Sequence, residues 1–198
     1  MKKTLILAIA VTIIATFNTK KMQAQTKDEA ITAFNSTLEL SKTDLAGAVL
    51  KMQEVVKMCS TIGTDADTLK MKATAVIPAW QFNVGNNLLR DKKYDLAIAA
   101  YEKSNTLATT YVDQNIKEKS ANQLVLLYTS KGNTLYKGEK ADSALLFIDK
   151  ALSYNPDYSK ALFTKGQVYK KKGDNVKMAE NMELAIASAA KTNDTVII

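Results

Sequence analysis

The sequence predicts an all-α protein made of antiparallel helix pairs that recur along the chain. Three observations carry this. Apolar residues return at helical spacing through almost the whole chain after its first two dozen residues. Gly132 and Gly166 stand 34 residues apart, each inside a stretch that otherwise reads as helix. Only two prolines and seven glycines occur in 198 residues, and no run alternates as a strand would.

The first 24 residues are of a different kind. Lys2 and Lys3 precede the apolar run LILAIAVTIIATF (Leu5 to Phe17), which is followed by polar NTKKMQAQ. The run is shorter than the roughly 20 residues that span a bilayer. It predicts a secretory signal peptide over residues 1–24, with cleavage after Ala24 and no stable membrane insertion afterwards. The expected location is therefore outside the cytoplasm, periplasmic or extracellular. Cleavage removes Lys2, Lys3, Lys20 and Lys21 and no acid, so the formal charge falls from +7 to +3. Such a mild excess is no footprint for nucleic acid.

Residues 28–41 place Ile31, Phe34 and Leu38 on one face of a first helix. Thr43 or Asp44 is positioned to cap a second, which carries Leu45, Val49, Met52, Val56 and Cys59. Cys59 is the only cysteine, which excludes an intramolecular disulfide and reads as a buried thiol. STIGTDAD is a turn, and a third helix from about Asp67 carries Leu69, Ala73, Val76, Trp80, Val84 and Leu88. Pro78 is expected to kink that helix or to mark its true start. RDKKYD turns into a fourth helix, LAIAAYEKSNTLA. Residues 109–119 (TTYVDQNIKEK) look irregular, and a fifth helix is expected over Ala121–Lys137. A sixth covers Asp142–Tyr154 and stops before Pro156. A seventh starts near Tyr158 and an eighth near Asp174.

Counting from Gly132, Leu135 lies at +3, Ala144 at +12, Ile148 at +16, Ala151 at +19 and Pro156 at +24. From Gly166 the same offsets give Tyr169, Met178, Met182, Ala185 and Ala190. From Gly85 they give Leu88, Ala97, Tyr101, Ser104 and Thr109. A glycine inside a helix costs about 1 kcal/mol relative to alanine, so three at matched sites call for a packing reason. Close approach of the second helix of each pair supplies it. One pair cannot bury its own apolar face, so pairs must stack.

This pattern resembles the tetratricopeptide repeat family, whose 34-residue unit is a helix–turn–helix. The resemblance covers about residues 78–192. It divides the chain into a hairpin or degenerate repeat at 25–77, a first unit at 78–111 and an insertion at 112–124. A second unit follows at 125–158, a third at 159–192, and a tail at 193–198. The sequence departs from the family at Met178, where a small residue is usual, and at Gln81, Tyr128 and Leu162, which replace the signature tryptophan. Gly85 and Gly132 are 47 residues apart, so 13 extra residues form a longer helix or a loop.

The resemblance implies a short right-handed solenoid that binds a protein or peptide on a concave face lined by first helices. With the signal peptide, it implies a non-catalytic interaction scaffold of the cell envelope. The positions implied for that face are Phe82, Asn86 and Leu89; Thr129, Asn133 and Tyr136; and Lys160, Phe163, Gln167 and Lys170. The carboxamides of Asn86, Asn133 and Gln167 suit an extended peptide backbone. The same positions also read as plain solvated helix surface. Phe82 and Thr164 stand where the family's carboxylate-clamping members carry basic residues, so such a clamp is not expected.

Catalysis is poorly provided for. There is no histidine, no second cysteine and no phosphate-cradling glycine loop, so neither cofactor nor metal is expected. Self-association stays open. The alternative reading is a small-molecule or glycan-binding accessory protein, with an enclosed pocket between helices near Trp80 and residues 109–119.

Overall fold

The structure is a computed structural model and describes residues 26–192. The expected signal peptide (1–24) and tail (193–198) lie outside the described residues. Thr26 opens the first helix with a capping box. Its hydroxyl accepts from the Glu29 N–H at 3.2 Å, and the Glu29 carboxylate accepts from the Thr26 N–H at 2.9 Å. Eight α-helices follow, with no strand among the described residues. They are α1 (Lys27–Leu40), α2 (Leu45–Ile62), α3 (Asp67–Arg90), α4 (Tyr94–Thr110), α5 (Gln114–Lys137), α6 (Ala141–Tyr154), α7 (Ser159–Lys172) and α8 (Asn175–Thr192). Of the two candidate caps for α2, Asp44 takes the role and accepts from the Gly47 N–H at 2.9 Å.

Each helix packs on its neighbours in the chain, and α5 also touches α3 and α7. The result is an all-α stack of antiparallel helix pairs. Its apolar interior falls into two cores. The N-terminal core gathers Val49, Met52, Val55, Cys59, Ala73 and Ile77, with Phe34 and Trp80 against it. The C-terminal core gathers Ala97, Tyr101, Leu124, Tyr128, Ala144, Ile148, Ala161 and Val168.

Between the two cores runs a buried polar seam. Ser104 Oγ donates to the Pro78 carbonyl at 3.0 Å, and Ser120 Oγ donates to Ser104 Oγ at 3.0 Å. Gln81 Nε2 donates to the Ala100 carbonyl at 3.3 Å. All three side chains are buried, so each needs these partners to offset its lost hydration. The seam ties the middle of α3 and of α4 to the second turn of α5.

Each matched glycine meets the residue 16 places on, across its helix pair. A Cβ at Gly85 would stand 2.7 Å from the Tyr101 ring, and one at Gly132 2.6 Å from Ile148 Cγ1. One at Gly166 would stand 3.0 Å from Met182 Cε. The repeat has a second register in its turns. Lys92, Glu139 and Gly173, each seven residues past its glycine, all have positive φ: 60°, 64° and 77°. Only the third is the residue type that adopts this conformation without strain.

One expectation is corrected and one alternative is closed. Residues 109–119 are not irregular: α4 runs to Thr110 and α5 begins at Gln114, seven residues before the expected Ala121. Asp113 caps α5 by accepting from the Ile116 N–H at 3.0 Å. The residues assigned to the 112–124 insertion are thus mostly helix, and the 13 extra residues lengthen α4 and α5. The early turns of α5 bury little but Ser120, so they show no apolar period to find. Of the two readings of Pro78, a helix start at the proline fails: α3 begins at Asp67, where the spacing placed it, and runs through Pro78 to Arg90. Ala73 and Ile77, both fully buried in the N-terminal core, hold the first half of α3 against the proline's penalty of about 3 kcal/mol.

Candidate functional site

Helices α5 and α7 run side by side as the first members of two successive pairs, and an open cleft of about 530 Å³ lies between them. Its lining includes Thr129, Asn133, Lys160, Phe163 and Gln167, five of the ten positions singled out for the concave face. Asn133, Phe163 and Gln167 are half-buried and Lys160 is exposed. Thr129 is buried, with 9% of its surface exposed, and its Oγ1 has no hydrogen-bond partner. Neighbouring Thr164 satisfies itself by donating to the Lys160 carbonyl at 2.8 Å.

The other five positions do not line this cleft. Phe82 is half-buried with its ring centroid 5.3 Å from that of Tyr101, and Leu89 and Tyr136 pack against the C-terminal core. Lys171 Nζ sits 5.8 Å from the Tyr136 ring centroid. Asn86 is occupied: its Oδ1 accepts from the Tyr101 hydroxyl at 2.8 Å. Lys170 is exposed on α7, beyond the cleft's lining.

The cleft also uses Leu126, Ser130, Lys137, Tyr158 and Thr164, which sequence reasoning missed. A signal for most of them was present. Leu126 lies six residues before Gly132, the offset that picked out Lys160 before Gly166. Ser130 and Thr164 share the offset −2, and Lys137 lies at +5.

The electrostatics of α7 are lopsided. It carries five lysines and no acid. Lys165 pairs with Asp149 at 2.8 Å, Lys171 pairs with Glu139 at 3.2 Å, and Lys172 pairs with Asp142. Among the described residues Lys160 and Lys170 make no ion pair, nor does Lys137 across the cleft. No aspartate or glutamate lines the cleft.

A larger open cleft of about 840 Å³ lies on the other side of α5, against the start of α4. Tyr94 and Leu96 are exposed there, and Lys131 reaches Asp95 at 2.6 Å. None of the ten singled-out positions lines it, and its pairing leaves no buried polar group open. The α5–α7 cleft is the better candidate because its floor holds a polar atom still lacking a partner. Neither cleft is lined by Trp80 or by residues 109–119, where an enclosed small-molecule pocket was the alternative expectation. Trp80 and Tyr111 pack against the N-terminal core instead.

For catalysis the described residues offer no group of three or more His, Cys, Asp or Glu side chains placed to hold a metal. Cys59 is buried, and burial pushes its thiol pKa up, away from the thiolate a nucleophile needs. No described helix is long and apolar enough to cross a membrane.

No protein-family model matches the chain, and no curated protein matches it. Among solved structures it is similar to a crystal structure of MamA, at 20% identity over 85% of this chain and 93% of that one, with a TM-score of 0.39. It is also similar to a crystal structure of BtubC (BKLC) from P. vanneervenii, at 15% identity over 84% and 90% of the two chains, with a TM-score of 0.33. At these values neither likeness bears on activity or partner.

Proposed function

We propose that this is an exported, non-catalytic interaction protein of the tetratricopeptide-repeat type, which holds an extended segment of a partner protein in the α5–α7 cleft. The observation that carries this is the cleft itself. It is open, lies between the first helices of two successive pairs, and sets two carboxamides (Asn133, Gln167) beside an aromatic ring (Phe163). Carboxamides give and accept hydrogen bonds along a peptide backbone, and the ring supplies apolar contact area at low entropy cost. An open trough suits a strand of polypeptide, whereas a small ligand is better held when enclosed. The matched glycines and the shared turn conformation support the repeat-family reading. The basic N-terminus and short apolar run of the sequence support export to the envelope.

Cross-linking in the producing cell followed by mass spectrometry tests the reading. Partner peptides are expected to link to residues of α5 and α7. Asn133→Ala or Phe163→Ala is expected to reduce capture while leaving the melting temperature unchanged. Capture that survives both substitutions overturns the assignment of the cleft.

A further inference from the structure

We infer that the α5–α7 cleft selects a partner segment by an acidic side chain, Asp or Glu, whose carboxylate accepts a hydrogen bond from Thr129 Oγ1. The inference rests on the reading of the cleft as a peptide groove and names what that groove prefers. Four observations carry it, beginning with the hydroxyl. Thr129 is buried and lines the cleft, yet its Oγ1 is without a partner. A buried unsatisfied hydroxyl costs about 1–3 kcal/mol, and folded proteins rarely leave one. The usual remedy for a helical threonine is a bond back to the preceding turn, as Thr37 makes to the Ala33 carbonyl at 2.7 Å and Thr164 to that of Lys160. Thr129 alone among buried side-chain polar atoms of the described residues is left without a partner, and it belongs to a residue that lines the cleft.

The second observation is charge. Lys137 and Lys160 line the cleft without an ion pair, and no carboxylate lines it to neutralise them. The α7 lysines engaged with α6 and its preceding turn are paired, whereas Lys160 keeps its charge free at the cleft and Lys137 does so across from it. A hydroxyl can donate or accept, and in a cleft that also holds two cations and no acid the partner that suits its O–H is a carboxylate. Third, Asn133 and Gln167 supply groups for the peptide units on either side. Fourth, the hydroxyl belongs to the buried floor while Lys160 is exposed. A side chain carries its carboxylate below the backbone to that depth, whereas a chain-terminal carboxylate stays at backbone level. The preferred residue is therefore internal to the segment.

The test is a selection of displayed peptides, flanked on both sides by constant sequence, on the protein purified from full-length expression. The best binders are then synthesised with acetylated and amidated ends and measured by fluorescence anisotropy. Winners are expected to share an Asp or Glu, and its replacement by Asn or Gln should weaken binding about tenfold or more. Thr129→Val should weaken binding by a similar factor while its melting temperature stays level or rises, because the substitution removes an unsatisfied hydroxyl. Lys160→Gln should weaken binding more at low salt than at high salt. Winners without an acid that still depend on Asn133 and Phe163 would overturn the carboxylate inference and leave the peptide groove standing. Binding that requires a free C-terminus would overturn the internal placement. Winners indifferent to every cleft substitution would overturn the groove itself.

Discussion

Gly132 and Ile148 are packed so closely that no side-chain carbon fits between them: a Cβ on the glycine would stand 2.6 Å from Ile148 Cγ1 and 3.2 Å from the Ala144 carbonyl oxygen. Helix propensity alone gives alanine an advantage of about 1 kcal/mol over glycine here. The contact reverses that sign, because a β-branched side chain and a backbone carbonyl cannot move aside cheaply. Gly132→Ala is expected to destabilise by about 1–3 kcal/mol, read as a lower urea midpoint at unchanged slope. Gly166→Ala is expected to be neutral or stabilising. Its nearest neighbour at 3.0 Å is the flexible end of Met182.

Val112 is the strongest target for stabilisation. It is 88% exposed, has φ of 59°, and occupies the short turn between α4 and α5. A β-branched residue is strained in this region by about 1–2 kcal/mol, and no contact compensates. Val112→Gly is expected to raise the melting temperature by roughly 2–4 °C. Differential scanning calorimetry of the two proteins decides it; an unchanged or lower value would mean the turn is not strained.

The two asparagines at matched positions should behave differently. Asn86 holds the Tyr101 hydroxyl at 2.8 Å, whereas Asn133 faces the cleft. Asn86→Ala is expected to lower stability by about 1 kcal/mol and leave partner capture intact. Asn133→Ala is expected to do the reverse. Measuring both quantities on both variants separates packing from recognition.

Alkaline pH should unfold the protein through its tyrosines. Burial raises the hydroxyl pKa of Tyr101, Tyr111, Tyr128 and Tyr154 above the usual value. For Tyr128 the Glu102 carboxylate, which accepts its hydrogen bond, raises it further. The folded state thus keeps protons that the unfolded chain gives up near pH 10. Stability is full below about pH 10 and is lost as pH rises beyond it. Thermal melts from pH 8 to 11 should show the fall, and Tyr128→Phe should make it shallower while lowering the neutral-pH midpoint.

The repeat was legible because its determinants are local and periodic: glycines 34 residues apart, and a partner at +16 in each pair. The full length of α5 was not. The first turns of α5 are polar on nearly every face, and Ser120 is buried by bonding to Ser104, a contact across 16 residues that no local pattern encodes. At Pro78 the choice between an interior proline and a helix start stayed open for a similar reason, since it depends on what Ala73 and Ile77 pack against. The turns hid their kinship because exposed Lys92 and Glu139, in turns closed by backbone hydrogen bonds, take a conformation that Gly173 adopts without strain. In the cleft, the offset rule located carboxamides and lysine, but an unsatisfied Thr129 hydroxyl is a property of three-dimensional surroundings. Asn86 shows the converse, a matched position committed to a tyrosine opposite.

The polar seam has an optical consequence. The chain's one tryptophan, Trp80, lies on the N-terminal side of it, packed against a core that shares no buried apolar residue with the other. Its fluorescence therefore reports one block of the molecule, while circular dichroism reports every helix. If Ser104→Ala releases the Pro78 carbonyl and Ser120 from their partners, the two signals should melt at different temperatures, and the solenoid would be seen coming apart in halves.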